Sequence, residues 1–420
     1  MISRPWWWTI ILTTAFLGAI GPVLAAPESP TGSELVATFY GYEKYAPGAN
    51  DFIISPRSET ARYRVTHLTF PSRIESSSAN NNLVRGYYYQ PKAAGRVPAV
   101  VVLHGWGAVL SGRMIESFCK SLAERGMAAF MLELPYHLER RAEGKLSGAG
   151  FMTANPQRLV ESGRQAVIDL RCVLDWLAAR PEVDAQQLGV AGLSLGAITA
   201  NLAMGVDDRL KAGVSILGGG DLAEVVWRSP LALPWKTKMQ QAGVSEAMLR
   251  EALRPVEPLT FADRDRSARV LMINGFYDVV IPESSTLKLW KSLGRPPIIW
   301  TNSGHFSLVL AWAEVIETAC TFLQGEFGVG PPWTPREIQV KPVKAVLLWD
   351  EYQGVRPGLF KELLCSRGRG RLSLDLGLTT KGLFAGAGGL VTDMVTVGLG
   401  TPVGKGRWSF EPYLALQLVL

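Results

Sequence analysis

Residues 190–199, VAGLSLGAIT, place Ser194 between two glycines at the end of an apolar run. A nucleophilic serine on a sharp strand-to-helix turn needs small neighbours, because the backbone there is cramped and strained. Gly192 and Gly196 occupy those two positions. The hydroxyl would then lie at a helix N-terminus, where free amides favour developing negative charge. The pattern is typical of a serine nucleophile, and its structural alternative is a serine that only caps the helix.

A serine nucleophile needs a base, and an acid must orient that base. The chain has four histidines. His305 ends a predicted strand in TNSGHFS, and Asp278 ends the preceding strand in NGFYDVVIP. The order serine, aspartate, histidine, each at the carboxyl end of a strand, predicts a triad on one sheet edge. The structural alternatives are a capping role for His305 and a turn role for Asp278.

The segments that must position these residues alternate between strand and helix. Two strands, RYRVTHLTF and LVRGYYYQP, come first, and buried strands such as VPAVVVLHGWG, MAAFMLELPY and KAGVSILGGG follow. Helical spacing separates them, most clearly over 113–125, 157–180, 284–293 and 306–324. Such alternation predicts an α/β fold, with a mostly parallel sheet that helices cover on both faces.

Composition changes divide the chain into predicted regions. Residues 26–61 are rich in Pro, Gly, Ser and Asn and are predicted to be an N-terminal lead-in. The alternating region covers 62–328. Residues 221–262 interrupt its rhythm with tryptophans and prolines, and this insertion is predicted to form a lid or a wall of the substrate pocket.

The tail, residues 331–420, differs in kind from the rest. Leucines alternate with other residues in RLSLDLGL and again in YLALQLVL, which is the period of half-buried strands. Outer-membrane barrel strands show the same alternation, but three or four strands cannot close a barrel. The tail is therefore expected to be a small β-rich extension, with a membrane or envelope association as the alternative.

The N-terminus predicts export. Residues 1–25 combine Arg4, an apolar stretch and small residues before Ala25, as a secretory signal peptide does; an uncleaved anchor is the alternative. The net charge of +6 is spread over scattered basic residues, which argues against a nucleic-acid-binding protein. The protein is expected to be secreted or in the cell envelope, where its four cysteines could pair; a bridge between Cys119 and Cys320 requires neighbouring helices.

As an ordered set, these motifs make the chain resemble the α/β-hydrolase superfamily, and within it serine hydrolases of the dienelactone-hydrolase and esterase type. The resemblance covers about 62–328 and rests on HGWG at 104–107, GLSLG at 192–196, Asp278 and His305. It implies Ser194 as nucleophile, His305 as general base and acid, and Asp278 as the residue that orients His305. The loop Pro-Tyr-His at 135–137 departs from the Asp-x-Pro-Gly turn of many relatives.

The sequence also indicates the other residues of the site. Backbone amides of Trp106 and Leu195 are the expected oxyanion donors, since both follow the strand ends that carry the chemistry. Four further residues are possible pocket residues: His104, His137, Trp227 and Trp235. His104 is more simply a brace for the oxyanion loop. Trp106, Trp227 and Trp235 could together form an apolar acyl or alcohol pocket, with ordinary packing as the alternative. No metal cluster, phosphate loop or dinucleotide motif occurs, so no cofactor is expected.

The expected function is hydrolysis of a small-molecule carboxylic ester through an acyl-enzyme on Ser194. Two alternatives stay open. The same triad would cleave a peptide or amide bond, because the acyl-enzyme step is shared. The hydrolase region could also be inactive in an envelope binding or structural protein whose function lies in the tail, although a complete set of Ser194, Asp278 and His305 argues against this.

Overall fold

A computed structural model describes residues 30–41, 48, 51–108, 111–262, 269–340, 343–350, 354–365, 372–392, 395–403 and 411–419. The predicted signal segment, residues 1–25, lies outside them. Two sheets make up the described strands: one with nine strands, and a closed barrel formed by the tail.

The nine-stranded sheet runs in the order β1-β2-β3-β5-β4-β6-β7-β8-β9. Its strands are β1 Ile53–Glu59, β2 Tyr63–Pro71, β3 Leu83–Pro91, β4 Val97–Leu103, β5 Ala128–Leu132, β6 Val183–Leu193, β7 Leu210–Ile216, β8 Val270–Gly275 and β9 Ile298–Thr301. Strands β1, β2 and β3 pair antiparallel, β3 pairs antiparallel with β5, and the remaining neighbours are parallel. The carboxyl ends of the parallel strands therefore share one edge.

Helices cover the sheet on both faces. They are α1 Gly32–Thr38, α2 Ser111–Glu124, α3 Pro156–Ala178, α4 Leu195–Val206, α5 Leu222–Arg228, α6 Leu233–Gln241, α7 Glu246–Leu253, α8 Glu283–Ser292 and α9 Trp312–Glu326. Two large apolar clusters result, one around α3 and α4 and the other around α2 and α9. Every residue of the central strand β4 is buried, as a strand covered on both faces requires. The predicted α/β fold class, with its β-rich C-terminal extension, is confirmed.

The described residues of the predicted lead-in over 26–61 include α1 and β1. Thr31 caps α1 in a reciprocal arrangement with Glu34, and Arg171 holds the segment just after α1 by donating to the carbonyl of Tyr40. Strand β1 adds to the sheet beside β2 although all of its residues are exposed. The absence of apolar alternation in β1 explains why its sequence does not predict a strand.

The insertion 221–262 consists of α5, α6, α7 and short 3₁₀ turns, and buried charges tie it to the fold. The carboxylate of Glu257 accepts hydrogen bonds from the amides of Asp221 and Leu222 at 2.9 and 2.6 Å. Lys288 of α8 bridges Asp221 and Glu224 at 2.6 and 2.9 Å. The base of the insertion is therefore fixed by charge-assisted contacts.

The tail is larger than the sequence indicates. Its strands are β10 Val343–Asp350, β11 Gly354–Cys365, β12 Leu372–Thr379, β13 Gly382–Thr392, β14 Val395–Pro402 and β15 Glu411–Val419. All neighbours are antiparallel and β15 pairs with β10, so the sheet closes. The expectation of three or four strands that cannot close was wrong. The sequences of β13 and β14 do not show the alternation of strands, because both are rich in glycine, which carries no hydropathy signal on either face.

Two further features of residues 62–328, the region whose sequence resembles hydrolases, bear on the sequence predictions. Helices α2 and α9 are neighbours, and Cys119 and Cys320 on them are buried free thiols. Burial raises the pKa of the Cys320 thiol to about 12. The segment Ser307–Glu326 is long and apolar enough to cross a membrane, but half of it is buried in the fold, and core helices pass the same test.

Candidate active site

Ser194 occupies the turn between β6 and α4. Its backbone has φ 56° and ψ −115°, a conformation that costs free energy for any residue with a side chain. The surroundings hold it in place: its amide donates to the carbonyl of Ile216 at 2.8 Å. A Cβ on Gly192 would lie 2.1 Å from the carbonyl oxygen of Gly196, and one on Gly196 would lie 2.4 Å from that of Leu103. Both glycines are therefore sterically required.

The structure brings Ser194, His305 and Asp278 together. The Nε2 atom of His305 lies 2.9 Å from the Oγ atom of Ser194, and its Nδ1 atom lies 2.8 Å from Oδ2 of Asp278. The second carboxylate oxygen of Asp278 accepts the amide hydrogens of Val280 and Ile281, both at 2.8 Å. With Nδ1–H bound to the carboxylate, Nε2 presents a lone pair to the serine hydroxyl.

The expected oxyanion donors flank the serine. Leu195 is the first residue of α4, and the first amides of a helix have no partner within it. Trp106 lies in the loop after β4, and a Cβ on the preceding Gly105 would come 3.5 Å from Cβ of Ser194. This loop thus passes directly beside Ser194, at van der Waals distance from a Cβ placed at 105.

A cavity of about 360 Å³ opens beside the Ser194 hydroxyl and the His305 ring. Apart from the residues of the reacting centre, mostly apolar side chains line it: Trp106, Met114, Leu193, Leu217, Leu231, Phe306, Leu308 and Val309. Several of these, including Leu231, Phe306 and Val309, remain exposed at its mouth. Pockets of this size and polarity bind apolar groups of small molecules.

Of the residues that the sequence predicts for the pocket, Trp106 lines the cavity, whereas His104, His137, Trp227 and Trp235 do not. His104 is fully buried: its Nδ1–H donates to the carbonyl of Gly105 at 2.9 Å, and its Nε2 accepts from the amide of Leu134 at 3.1 Å. It therefore braces the loop that carries Trp106. Burial lowers the pKa of His104 to about 4, which keeps it neutral.

His137 is also fully buried, 5.0 Å from the ring of His104, and burial lowers its pKa to about 3. Trp227 packs against the core, where Lys236 lies over its ring. Trp235 meets Trp106 edge to face at 5.5 Å and supports the pocket from behind. None of the three lines the cavity.

Sequence reasoning missed most of the apolar lining. Phe306 could have been found, because it follows His305 directly. Met114 and Leu231 carry no such signal, since they come from α2 and from the insertion, which only the fold brings to the same cavity. Among the described residues, no group of three or more His, Cys, Asp or Glu could hold a metal ion.

Sequence comparisons find similarity to known proteins over part of this chain. The model of the prolyl oligopeptidase family matches residues 155–308, a segment that contains Ser194, Asp278 and His305. Two uncharacterized proteins from strains of Mycobacterium tuberculosis are each 28% identical over 183 residues. That match spans 43% of this chain and 43% of each relative, so the chain aligns with less than half the length of the curated relatives it matches.

Comparison with solved structures covers a larger share of the chain than the sequence matches do. Acetyl xylan esterase 1 from a Thermoanaerobacterium species superposes with a TM-score of 0.53 at 16% identity, covering 70% of this chain and 93% of that one. An acetyl xylan esterase from a Paenibacillus species gives 0.50 at 18% identity, covering 68% and 91%. At such identities these structures define the fold alone. The chain therefore has the α/β-hydrolase fold, and its residues 155–308 are similar to the prolyl oligopeptidase family.

Proposed function

We propose that the protein hydrolyses a carboxylic ester with an apolar acyl or alcohol group, through an acyl-enzyme on Ser194. The observation that carries the proposal is a continuous set of contacts at the base of an apolar cavity. The Oγ atom of Ser194 lies 2.9 Å from Nε2 of His305, and Nδ1 of His305 lies 2.8 Å from Oδ2 of Asp278.

Acylation starts with attack of Ser194 Oγ on the ester carbonyl carbon, while His305 Nε2 takes the hydroxyl proton. The carbonyl oxygen becomes an anion that the amides of Trp106 and Leu195 would bind. Loss of one such donor typically costs about 3 kcal/mol in the transition state. The tetrahedral intermediate then collapses: the bond from carbon to the alcohol oxygen breaks, and His305 returns the proton to the departing alkoxide.

Deacylation repeats these steps with water as the nucleophile. His305 takes a proton from the water, the hydroxide oxygen bonds to the acyl carbon, and the bond to Ser194 Oγ breaks as the serine regains its proton. Asp278 stays ionised throughout and stabilises the imidazolium that forms twice in each cycle. Its two bonds from the amides of Val280 and Ile281 fix the carboxylate in the orientation that this role needs.

Amide or peptide cleavage is the second candidate, and the match to the prolyl oligopeptidase family favours it. The two reactions differ at the leaving group: an amine must be protonated before the bond from carbon to nitrogen breaks, whereas an alkoxide is a far better leaving group. Paired substrates with one acyl group, presented as a nitrophenyl ester and as a nitroanilide, separate the candidates. A ratio of kcat/KM that favours the anilide would replace the ester proposal.

The triad itself is tested by labelling the full chain with a fluorophosphonate, which reacts with activated serines. We expect the wild type to be labelled and Ser194→Ala to be unlabelled. Ser77→Ala is the matched control, because Ser77 is exposed in the loop between β2 and β3. A folded wild type that resists the reagent, or a labelled Ser194→Ala protein, would contradict the proposal and favour an inactive hydrolase region.

Export from the cytoplasm is part of the same proposal. It is supported by the N-terminal sequence, with Arg4, an apolar stretch and small residues before Ala25. N-terminal sequencing of the protein from the envelope or the medium is expected to begin at Ala26. An intact Met1 in the mature protein would instead favour a retained anchor.

A further inference from the structure

The barrel formed by β10 to β15 carries aliphatic side chains on its outside. Exposed Leu, Val and Trp residues occur on each of its six strands: Leu347, Trp349, Val355, Leu359, Leu363, Leu372, Leu374, Leu376, Leu378, Leu383, Val397, Leu399, Leu414 and Leu416. We call this set the outer belt. Most of its members are 40% to 69% exposed. Single exposed leucines are common on soluble proteins, but a set of this size is not.

Cross-strand neighbours make the outer belt continuous around the barrel. At the six strand interfaces the paired residues include Trp349 and Val355, Leu359 and Leu378, Leu378 and Leu383, Ala387 and Leu399, Val397 and Leu414, and Leu347 and Leu416. A shallow apolar depression of about 700 Å³ lies on this surface, with Leu347, Leu359, Leu378 and Leu416 in its lining.

The inside of the barrel holds a cluster of charged groups beside a small apolar cluster. Lys344 lies between two carboxylates, 2.9 Å from Glu362 and 3.0 Å from Asp375, and all three side chains are at most 5% exposed. Ser373 donates to Asp375 at 2.7 Å, and Arg356 lies with its guanidinium carbon 5.6 Å from the centre of the Phe384 ring. A buried charge cluster surrounded by a belt of exposed leucines is unusual for a domain in water, where charged groups stay outside and large apolar patches are rare.

Barrel closure leaves no unpaired strand edge. Backbone polar groups along the strands bond to one another, which is the condition for a β-structure to lie in hydrocarbon. The strands contain 8 to 12 residues. At about 3.3 Å per residue and the tilt usual in barrels they span about 20 to 30 Å, which matches the apolar band of about 25 Å in membrane barrels.

We propose that the C-terminal barrel inserts into a lipid bilayer, with the outer belt in contact with the acyl chains. A second copy of the chain would cover one side of the barrel, whereas the belt occupies all six strands, and only a surrounding medium contacts every strand at once. The proposal does not depend on the function of the hydrolase region.

The polar exceptions on the outside agree with insertion. Among the strand residues whose side chains the structure describes, Lys361 is the one charged residue on the outer face, and it lies in the half of β11 that ends at Cys365. Its long side chain can extend toward that end and place the ammonium near the interface. Trp349 lies one residue before the end of β10, where membrane barrels place aromatic residues.

Six strands make a barrel narrower than the eight of the smallest bacterial single-chain membrane barrels. The interior is filled accordingly: Phe384 meets Phe360 and Tyr413 edge to face at 5.7 and 5.4 Å. Glycines on the facing strands make room, since a Cβ on Gly400 would lie 2.1 Å from the Phe384 ring. The barrel is therefore a plugged anchor without an open channel.

The test uses the purified full chain, reconstituted from detergent into vesicles of phosphatidylcholine and phosphatidylglycerol. We expect the wild type to float with the vesicles and to resist extraction at pH 11. Leu399→Arg, in the middle of β14, is expected to lower the partition coefficient about tenfold or more, because a cation would enter the acyl layer. Leu399→Ala and Leu372→Arg, the latter at the start of β12, are the matched controls and should remain largely bound.

A second measurement does not depend on how the arginine variant folds. Vesicles with brominated acyl chains should quench part of the tryptophan fluorescence, and Trp349→Phe should lose part of that quenching. A wild type that stays at the bottom of the gradient and is not quenched would overturn the proposal. In that case an oligomer in detergent-free buffer, measured by light scattering, would show that a second copy covers the outer belt.

Discussion

The hydrolase region and the C-terminal barrel differ in what they bury and in what they expose. In the nine-stranded sheet, β4 is apolar on both faces and its side chains are buried between two helical layers. In the barrel, leucines face outward and a lysine between two carboxylates lies inside. Both arrangements satisfy their backbones by strand pairing, so the difference lies in what surrounds each region. One is organised by exclusion of water, and the other, as we propose, by the apolar interior of a bilayer.

The largest effect is expected from Asp278→Asn, which should act on the hydrolase region alone. The amide no longer holds Nδ1–H of His305 and no longer stabilises the imidazolium, so kcat should fall by about 10⁴-fold. Steady-state hydrolysis of a nitrophenyl ester measures it, and Asp184→Asn at the start of β6 is the control. Flotation with vesicles should be unchanged. Loss of flotation would mean that the two regions depend on each other.

Lys344→Met should act on the barrel alone. It leaves Glu362 and Asp375 facing each other without their shared cation, and breaking such a buried pair typically costs about 3 to 5 kcal/mol. We expect a lower unfolding temperature of the barrel, read from the mobility of unheated samples in electrophoresis. Lys361→Met, the same substitution on the outer face, should leave that temperature unchanged. Equal behaviour of the two variants would contradict the buried charge cluster.

Glu133 is an exception to the burial of apolar side chains in the hydrolase region. Its carboxyl group lies just after β5 and is nearly fully buried. Burial, together with the nearby charge of Glu139, raises its pKa from the usual 4.5 to about 7. The native state then binds more protons than the unfolded state between those values, so this group reduces stability as the pH rises.

Glu133→Gln removes that loss. It should raise the free energy of unfolding by about 1 to 3 kcal/mol at pH 8 and change it little at pH 5. Urea unfolding of the full chain at the two pH values measures this, with exposed Glu75→Gln as control. A variant that is less stable at pH 8 would show that the ionised carboxylate is needed.

The smallest effect is expected at the pocket mouth. Leu231 contributes to the cavity lining from the insertion and is 40% exposed. Leu231→Ala should weaken the preference for esters with long acyl chains by a few-fold, corresponding to about 1 kcal/mol of lost apolar contact. The ratio of kcat/KM for long and short nitrophenyl esters measures it. Leu146→Ala, an exposed leucine outside the lining, is the control.

By itself the sequence determined the α/β order of the hydrolase region. Its parallel strands are continuous apolar runs and its helices are amphipathic, two local patterns that the neighbouring chain does not alter. Sequence order also placed Ser194, Asp278 and His305 at strand ends on one edge, because crossovers between parallel strands are right-handed and bring those ends together. What those three residues do remains a proposal.

Only the tertiary structure decided the rest. The cavity lining comes from distant segments such as α2 and the insertion, and no local period relates Met114 to Leu231. His104 and His137 are likewise buried beneath the loop and do not line the pocket. In the barrel, alternation with a period of two marks two faces but does not say which of them is inside. The tertiary structure shows that the leucines face outward, because the six strands close and Lys344 pairs with Glu362 and Asp375 inside the barrel.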